Sequence, residues 1–485
     1  MDRLKLFFIP LLLVALNFIV KGFYLSSNSI GGDEPFSIFH AQMDVSMIID
    51  LLSSGNNPPF YELLLHFWMK FFGLSASSVR FPSLIFSCIS VLFIYKIGNK
   101  YFSNKIGIIT GLLFVFSNYQ TLFAHEARVY AFFCLLSIMA MYYYLGLITE
   151  KQPKKGQLIL LLATNLMLIY AHYLGFMILF IQFIFVLINK ELRIKYWKQL
   201  LIFSVVIALF YLPNISVIIN RFLDSSANGT WVAPPEGIKS IYDILRKFSN
   251  APVVTSLVIV ILIAAIVKYL IKEKISALVL RNKLILMWFL FPFLSMFFIS
   301  YWIPMFLDRY LIFISGGFYL LVALASNYLI EKKRYSLVVP VIVCVLFLAS
   351  TKLNISNKRN VEEVILKVKE LKKDNTLILC TYHFGLNFTY YYDTELFKSV
   401  NDNMMQNLFK SLEEQNVFGI TNISEVPSNN WKTNHIIYVD AATNFLNPDN
   451  GILERLNADY DLISHSKIYE IFDVYEYGKL NQNKD

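Results

Sequence analysis

Apolar runs of about 20 residues, the length a helix needs to cross a hydrocarbon core, recur along the chain from Leu4 to Thr351. The pattern predicts about eleven membrane-spanning helices, the first over 4–21 and the last over 335–351. The third, 105–118, is short, and the fifth and sixth nearly fuse around Tyr170-Ala171-His172-Tyr173. The segment 22–77, between the first two spans, is too long for a plain connector. Within it Phe36, Phe39, Met43, Met47 and Leu51 fall at helical intervals, and Tyr61, Leu64, Leu65, Trp68 and Phe72 continue them. Both stretches read as amphipathic helices at a membrane interface. A second long connection, Phe222–Phe248, carries turn chemistry at Asn228-Gly229-Thr230-Trp231 and Pro234-Pro235 and reads as either a lid or a surface loop.

Beyond Ser350 the pattern becomes that of a water-soluble domain. Val361–Lys373 has an amphipathic helical period, Thr376–Tyr382 and His435–Ala441 read as buried strands, Asn403–Gln415 as a helix, and Ile463–Tyr477 as one or two strands. The chain therefore divides into a transmembrane domain over 1–351, including the loop 22–77, and a small α/β domain over 352–485. The tail carries no Gly-rich phosphate loop, metal-spaced cysteines or nucleophile elbow, and is expected to support or cover a site in the membrane domain.

Composition sharpens this picture. The 485 residues are 56% hydrophobic and only 16% charged, as expected of a polytopic membrane protein. The net charge of +9 does not point to nucleic acid, because the basic residues cluster between spans. With the N-terminus cytoplasmic, clusters such as Lys151/Lys154/Lys155, Lys190/Arg193/Lys195/Lys198, Lys268/Lys272/Lys274/Arg281/Lys283 and Lys332/Lys333/Arg334 all fall inside. Of the cysteines, Cys88, Cys134 and Cys344 lie in apolar runs and Cys380 in the tail, so no disulfide framework is expected. The first span lacks a small-residue cleavage site and reads as uncleaved.

That orientation collects the sharpest chemistry on the outer face: Gly31-Gly32-Asp33-Glu34, His125-Glu126-Ala127-Arg128, His172-Tyr173, Asp308-Arg309 and the whole tail. Carboxylates this close to a bilayer are costly to desolvate. Asp33 and Glu34 suit a general base or cation ligand, although Asp followed by Glu34-Pro35 also reads as a helix N-cap. Glu126 reads as lying in the first turn of a helix, where it suits the macrodipole, and Arg128 either snorkels or grips a phosphate through its planar fork. Arg309 either pairs with Asp308, anchors at headgroups or binds a lipid phosphate. A lone His172 is more often satisfied structurally than a ligand. An amphiphile with its tail in the bilayer and a charged head outside, such as a polyprenyl-phosphate sugar, fits this arrangement. No nucleotide-binding fingerprint competes with it.

The motifs Gly32-Asp33-Glu34-Pro35-Phe36-Ser37, Asn57-Pro58-Pro59-Phe60-Tyr61-Glu62, Arg80-Phe81-Pro82-Ser83, His125-Glu126-Ala127-Arg128-Val129-Tyr130, Ala171-His172-Tyr173 and Asp308-Arg309-Tyr310 resemble those of bacterial membrane glycosyltransferases of the GT-C fold. The likeness is to the group related to protein O-mannosyltransferases and the lipid A aminoarabinose transferase, and it runs through about residue 330. It implies an inverting transfer from a polyprenyl-phosphate donor to a glycan, lipid or protein acceptor at the outer face of a bacterial inner membrane. It implies Asp33 as the catalytic carboxylate and Glu126 as a second acidic position. Glu34, Arg128, Tyr130, His172, Tyr173 and Arg309 are then substrate-binding. Some relatives use a divalent cation; here Asp33, Glu126 or His172 would be its candidate ligands. His125 departs from the group, which often has an acidic residue or Gln there. The alternative from another class is a transporter or flippase for lipid-linked sugars, against which stands the lack of internal repeats.

Overall fold

In the computed structural model the first apolar stretch is a helix, Asp2–Gly22. The structure describes residues 2–53, 58–150, 152–228, 230, 232–272, 278–332, 334–399, 404–443, 447–469 and 471–479. Asn57, Gly229 and Trp231 of the motifs above, and Lys151, Lys274 and Lys333 of the basic clusters, lie outside the described residues.

Among the described residues six helices are long and apolar enough to cross a membrane: Ala76–Tyr101, Tyr130–Thr149, Lys190–Asp224, Pro252–Lys272, Leu280–Ile299 and Asp308–Leu329. A seventh span arises if the pair Asn104–Val115 and Asn118–Ala124, bent by 60°, is one crossing. Shorter apolar helices occupy Phe8–Gly22, Lys155–Ala171, Gly175–Ile188 and Val338–Ala349. The chain is thus an integral membrane protein, but helix length and composition do not establish eleven crossings. Two other expectations change. The helix expected over 199–219 runs on from Lys190 to Asp224, and Phe222–Phe248 is largely helical, with Ile238–Phe248 forming its own helix. The turn residues Thr230, Pro234 and Pro235 remain outside the helices, which occupy the two ends of that connection.

The 60° bend positions the chemistry that follows it. A break in a membrane helix leaves backbone groups that must find partners inside the protein. Here the Phe116 carbonyl accepts from Asn250 Nδ2 at 2.7 Å and from Thr351 Oγ1 at 3.0 Å. Asn118 N–H donates to Asn250 Oδ1 at 2.8 Å, and the Ser117 hydroxyl caps the second helix through the Gln120 N–H. Asn250 itself holds φ 67°, a left-handed conformation that asparagine tolerates better than most residues.

The chain separates into two compact units. One comprises Met1–Leu25, Ser46–Leu64 and Arg80–Ile355. Its buried polar groups satisfy one another: Ser117 Oγ lies 2.6 Å from Tyr319 Oη, Gln120 Nε2 donates to Ser315 Oγ at 2.8 Å, and Asn165 and Gln182 pair amide to amide. Glycines at 316 and 317 let Trp288 lie flat against the helix backbone, and its indole N–H donates to the Phe313 carbonyl at 3.0 Å.

The other unit comprises Ser26–Val45, Leu65–Val79 and Ser356–Asp485, so two pieces of the first loop cluster with the tail. Its sheet has strands β1 (Leu377–Thr381), β2 (Val417–Ile420), β3 (His435–Ala441), β4 (Tyr460–Ile468) and β5 (Phe472–Lys479) in the order β2-β1-β3-β5-β4. β1 runs parallel to β2 and β3, and β5 antiparallel to β3 and β4. The period-2 alternation of side chains gives the sheet two cores. Ile378, Cys380, Ile437 and Val439 pack under the helix Val361–Leu371, and Leu377, Leu379, Ile436 and Tyr438 under Ile452 and Leu456. The strands read from the sequence are these, apart from β2, which the sequence did not reveal. All four cysteines are free thiols.

Candidate active site

In the membrane unit, the helix Asn118–Ala124 ends at His125, and the next begins only at Tyr130. Glu126 therefore lies in the connecting segment, not in the first helical turn that its spacing predicted. The segment is pinned at its backbone. Ser83 Oγ donates to the Glu126 carbonyl at 2.6 Å, and His125 Nε2 lies 2.6 Å from the Lys21 carbonyl. This explains the Arg80–Ser83 motif physically, since its last hydroxyl fixes the acidic segment. Lys21 was missed in the sequence reading. Fully buried, it donates to Ser87 Oγ at 3.1 Å and the Phe114 carbonyl at 3.3 Å. A basic residue closing an apolar span was its only signal. His125, Ala127, Arg128, Val129 and Tyr130 are all buried, while Glu126 is half-buried.

His172 occupies the turn between Lys155–Ala171 and Gly175–Ile188. Its Nδ1 accepts from the Leu174 N–H at 3.1 Å, so the neutral ring carries its proton on Nε2. The ring stacks on Phe133, centroids 4.6 Å apart, and meets Tyr310 edge-on at 5.8 Å. Nε2 is buried and makes no hydrogen bond among the described residues. Burial, reinforced by the positive charges of Arg128 and Arg309, lowers the pKa of His172 well below its ordinary value and keeps the imidazole neutral. The three residues thus share one electrostatic neighbourhood.

Arg309 opens the 3-10 segment Asp308–Ile314, and its guanidinium lies 5.9 Å from the Tyr130 ring centroid and 5.8 Å from that of Tyr310. Asp308 is engaged elsewhere. Its Oδ2 pairs with Lys247 Nζ at 2.6 Å, its Oδ1 accepts the Arg309 backbone N–H at 2.8 Å, and its carbonyl accepts from Tyr119 Oη at 2.6 Å. Lys247 was also missed in the sequence, because it lies in the region read as a loop. Tyr173 is half-buried beside His172. The membrane unit therefore gathers Arg128, Tyr130, His172 and Arg309 around one locus.

Asp33 and Glu34 belong to the other unit. Asp33 stands at the N-cap of the helix Glu34–His40, yet its side chain makes no capping bond. The expectation that it caps is therefore not met. Glu34 is buried, and its Oε2 accepts from the Gly31 N–H at 3.4 Å, closing the turn from within. Gly32 adopts φ 62°, which favours glycine, and leaves Asp33 next to a tightly turned backbone. Among the described residues no group of three or more His, Cys, Asp or Glu converges as a metal-ligand cluster.

Residues 56–217 match the family described as dolichyl-phosphate-mannose-protein mannosyltransferase. Among solved structures the chain is similar to ArnT from Cupriavidus metallidurans in the apo state, with a TM-score of 0.63 at 10% identity, over 96% of this chain and 97% of that one. The chain has the GT-C fold. ArnT crystallised with undecaprenyl phosphate gives a TM-score of 0.62 at 10% identity over the same shares. The GT-C likeness extends to an Archaeoglobus fulgidus oligosaccharyltransferase in the apo form, with a TM-score of 0.51 at 10% identity, over 98% of this chain and 74% of that one. No curated protein matches the chain.

Proposed function

We propose that this protein is an inverting glycosyltransferase that takes its sugar from a polyprenyl-phosphate donor at the outer face of a bacterial inner membrane. One observation carries the reading: the positive charges of Arg128 and Arg309 act on the neutral, buried His172, whose Nε2–H has no hydrogen-bond partner among the described residues. Two planar cations and an unspent donor at a membrane boundary suit a phosphate monoester or diester better than a neutral solute. The matched family is named for dolichyl-phosphate-mannose, and one structural neighbour was crystallised with undecaprenyl phosphate.

In the proposed step the acceptor hydroxyl gives its proton to the Asp33 carboxylate as its oxygen attacks the anomeric carbon. The bond from that carbon to the phosphate oxygen breaks, the lipid phosphate leaves from the opposite face, and the configuration inverts. Arg128 and Arg309 stabilise the charge growing on the departing phosphate, and His172 adds a neutral hydrogen bond. Glu126 stands on the acceptor side, and Glu34 holds the Asp33 turn. Tyr130 and Tyr173 frame the head group. The isoprenoid chain is assigned to an apolar groove of about 580 Å³ lined by Phe176, Phe180, Phe183, Leu200 and Tyr211. Phe176 lies four residues beyond His172, at the start of the helix Gly175–Ile188. The N-terminus is placed in the cytoplasm and the tail outside it.

The test uses the purified full-length protein in lipid nanodiscs with labelled polyprenyl-phosphate sugars and an envelope extract as acceptor source. Wild type consumes a donor, and Asp33→Asn lowers the rate by about 10²–10⁴-fold, the range of a lost general base, with an unchanged melting temperature. Undiminished turnover in Asp33→Asn would remove it as the base. Wild type that consumes no donor while folded would shift weight to lipid-linked sugar transport.

A further inference from the structure

The tail is expected from its sequence to be a passive cover, but its contacts with the first loop say more. Five consecutive loop residues are tied by their polar groups to the tail. Asn28 Oδ1 accepts from the Asn357 N–H at 3.3 Å, and the Ser29 carbonyl accepts from Asn357 Nδ2 at 2.8 Å. The Ile30 N–H donates to Tyr391 Oη at 2.6 Å. The Gly31 carbonyl accepts from Arg359 Nη1 at 3.0 Å, and the Gly32 carbonyl from Asn387 Nδ2 at 3.1 Å. The chain then passes directly into Asp33.

The two glycines make this approach possible. A Cβ on Gly31 would stand 3.0 Å from Val361 Cγ2 and 3.1 Å from Arg359 Cβ. A Cβ on Gly32 would overlap the Arg359 guanidinium, and the positive φ there disfavours any side chain as well. Asn387 is 7% exposed, and its Oδ1 is buried without a hydrogen bond among the described residues. A buried half-satisfied amide is costly, which argues for a retained role. Asn387 heads an Asn-X-Thr sequon, and this burial shields it from modification in the folded unit.

We infer that Asn387 and Arg359 of the tail are positioning residues, holding the Gly31 and Gly32 carbonyls so that the Asp33 carboxylate is presented in one orientation. The inference rests on the proposed role of Asp33 as base. The tail then takes part in the reaction through the backbone of the first loop. Both residues act one step away from the carboxylate, so the expected signature is a loss of turnover without loss of donor binding.

The experiment compares wild type, Asn387→Ala, Arg359→Met and Arg359→Lys as full-length proteins in phosphatidylethanolamine–phosphatidylglycerol nanodiscs. The readouts are donor-consumption kinetics with labelled polyprenyl-phosphate sugar and amide hydrogen exchange over residues 28–40. Asn387→Ala and Arg359→Met should each lower kcat by about tenfold or more, as a misplaced base does, with KM for the donor within about twofold. Exchange over 28–40 should rise in both, and Arg359→Lys, which keeps a donor for the Gly31 carbonyl, should recover most of the rate. Should Asn387→Ala fail to fold, the Arg359 pair carries the test alone. Wild-type kcat with raised exchange, or unchanged exchange in both variants, overturns the positioning role and leaves Asp33 as the base. A wild type that consumes no donor removes the base and the positioning role together.

Discussion

The two compact units solve the same problem in opposite senses. In the membrane unit the long helix Lys190–Asp224 turns almost all of its apolar surface outward, with Leu201, Ile202, Val205, Leu209 and Phe210 exposed, while Arg80, Thr110, Ser117, Gln120 and Ser315 are buried. In the tail unit Ile378, Val439, Val364 and Val474 are buried, and charge is mostly outside. The difference follows from the solvent. Hydrocarbon rewards exposed apolar groups and punishes unpaired polar ones, and water does the reverse. The comparison teaches where to seek chemistry. In the membrane unit a buried ionisable group needs a reason: Lys21 and Arg80 spend their donors on Ser87 and on backbone carbonyls, whereas His172 keeps a buried Nε2 without a hydrogen-bond partner among the described residues. In the tail unit the informative groups are polar atoms reaching toward the first loop, as at Asn387 and Arg359.

The strongest way to break this contrast lies at the phosphate locus. Arg309→Ala should reduce donor turnover by about 10²–10³-fold, the cost of removing a charge-stabilising donor at a developing oxyanion. Arg309→Lys should recover little of it, because a point charge cannot replace the planar fork. A rate near wild type in Arg309→Ala, read in the nanodisc donor assay, would reduce that arginine to a headgroup anchor.

An intermediate effect belongs to the tail. Glu476 is buried on β5, 2.9 Å from both His435 Nε2 and Lys373 Nζ, with Ser464 Oγ donating at 2.9 Å. Burial alone raises its pKa, but the hydrogen bonds from His435, Lys373 and Ser464 outweigh that and hold it at about 2, against an ordinary 4.5. The unfolded carboxyl therefore binds its proton more readily, so acid favours unfolding. The stabilisation is complete above pH 4.5 and is lost as pH falls toward 2. Thermal melts of wild type and Glu476→Gln across that window should converge at the acid end. Parallel curves would show that the cluster contributes no pH dependence.

The smallest effect concerns Lys247 and Asp308, a pair with side chains 45% and 18% exposed. Lys247→Ala should change stability by only about 0–1 kcal/mol, as solvent screening dictates. A larger fall in melting temperature would mean that this pair behaves as part of the buried network rather than as a surface contact.

Much was legible along the chain, because hydrophobic periodicity is local and responds directly to the solvent each element meets. It gave the polytopic membrane class, the change of character after Ser350, the helix at Val361–Leu371 and the strand at His435–Ala441. It also marked Asp33, Glu126, Arg128, His172 and Arg309 as chemically unusual, since charge beside a bilayer needs a reason. The short strand Val417–Ile420 escaped, being too brief to show a period. What only the tertiary structure decided are the long-range pairings: Ser83 on the Glu126 carbonyl, Asn250 on the broken helix at Phe116, and Asn387 on the Gly32 carbonyl, the last pair 355 positions apart. A hydrogen bond to a backbone carbonyl leaves no spacing in the sequence of either partner. Its existence depends on where folding brings that carbonyl, and so the orientation of the Asp33 turn belongs to the fold rather than to the motif that contains it.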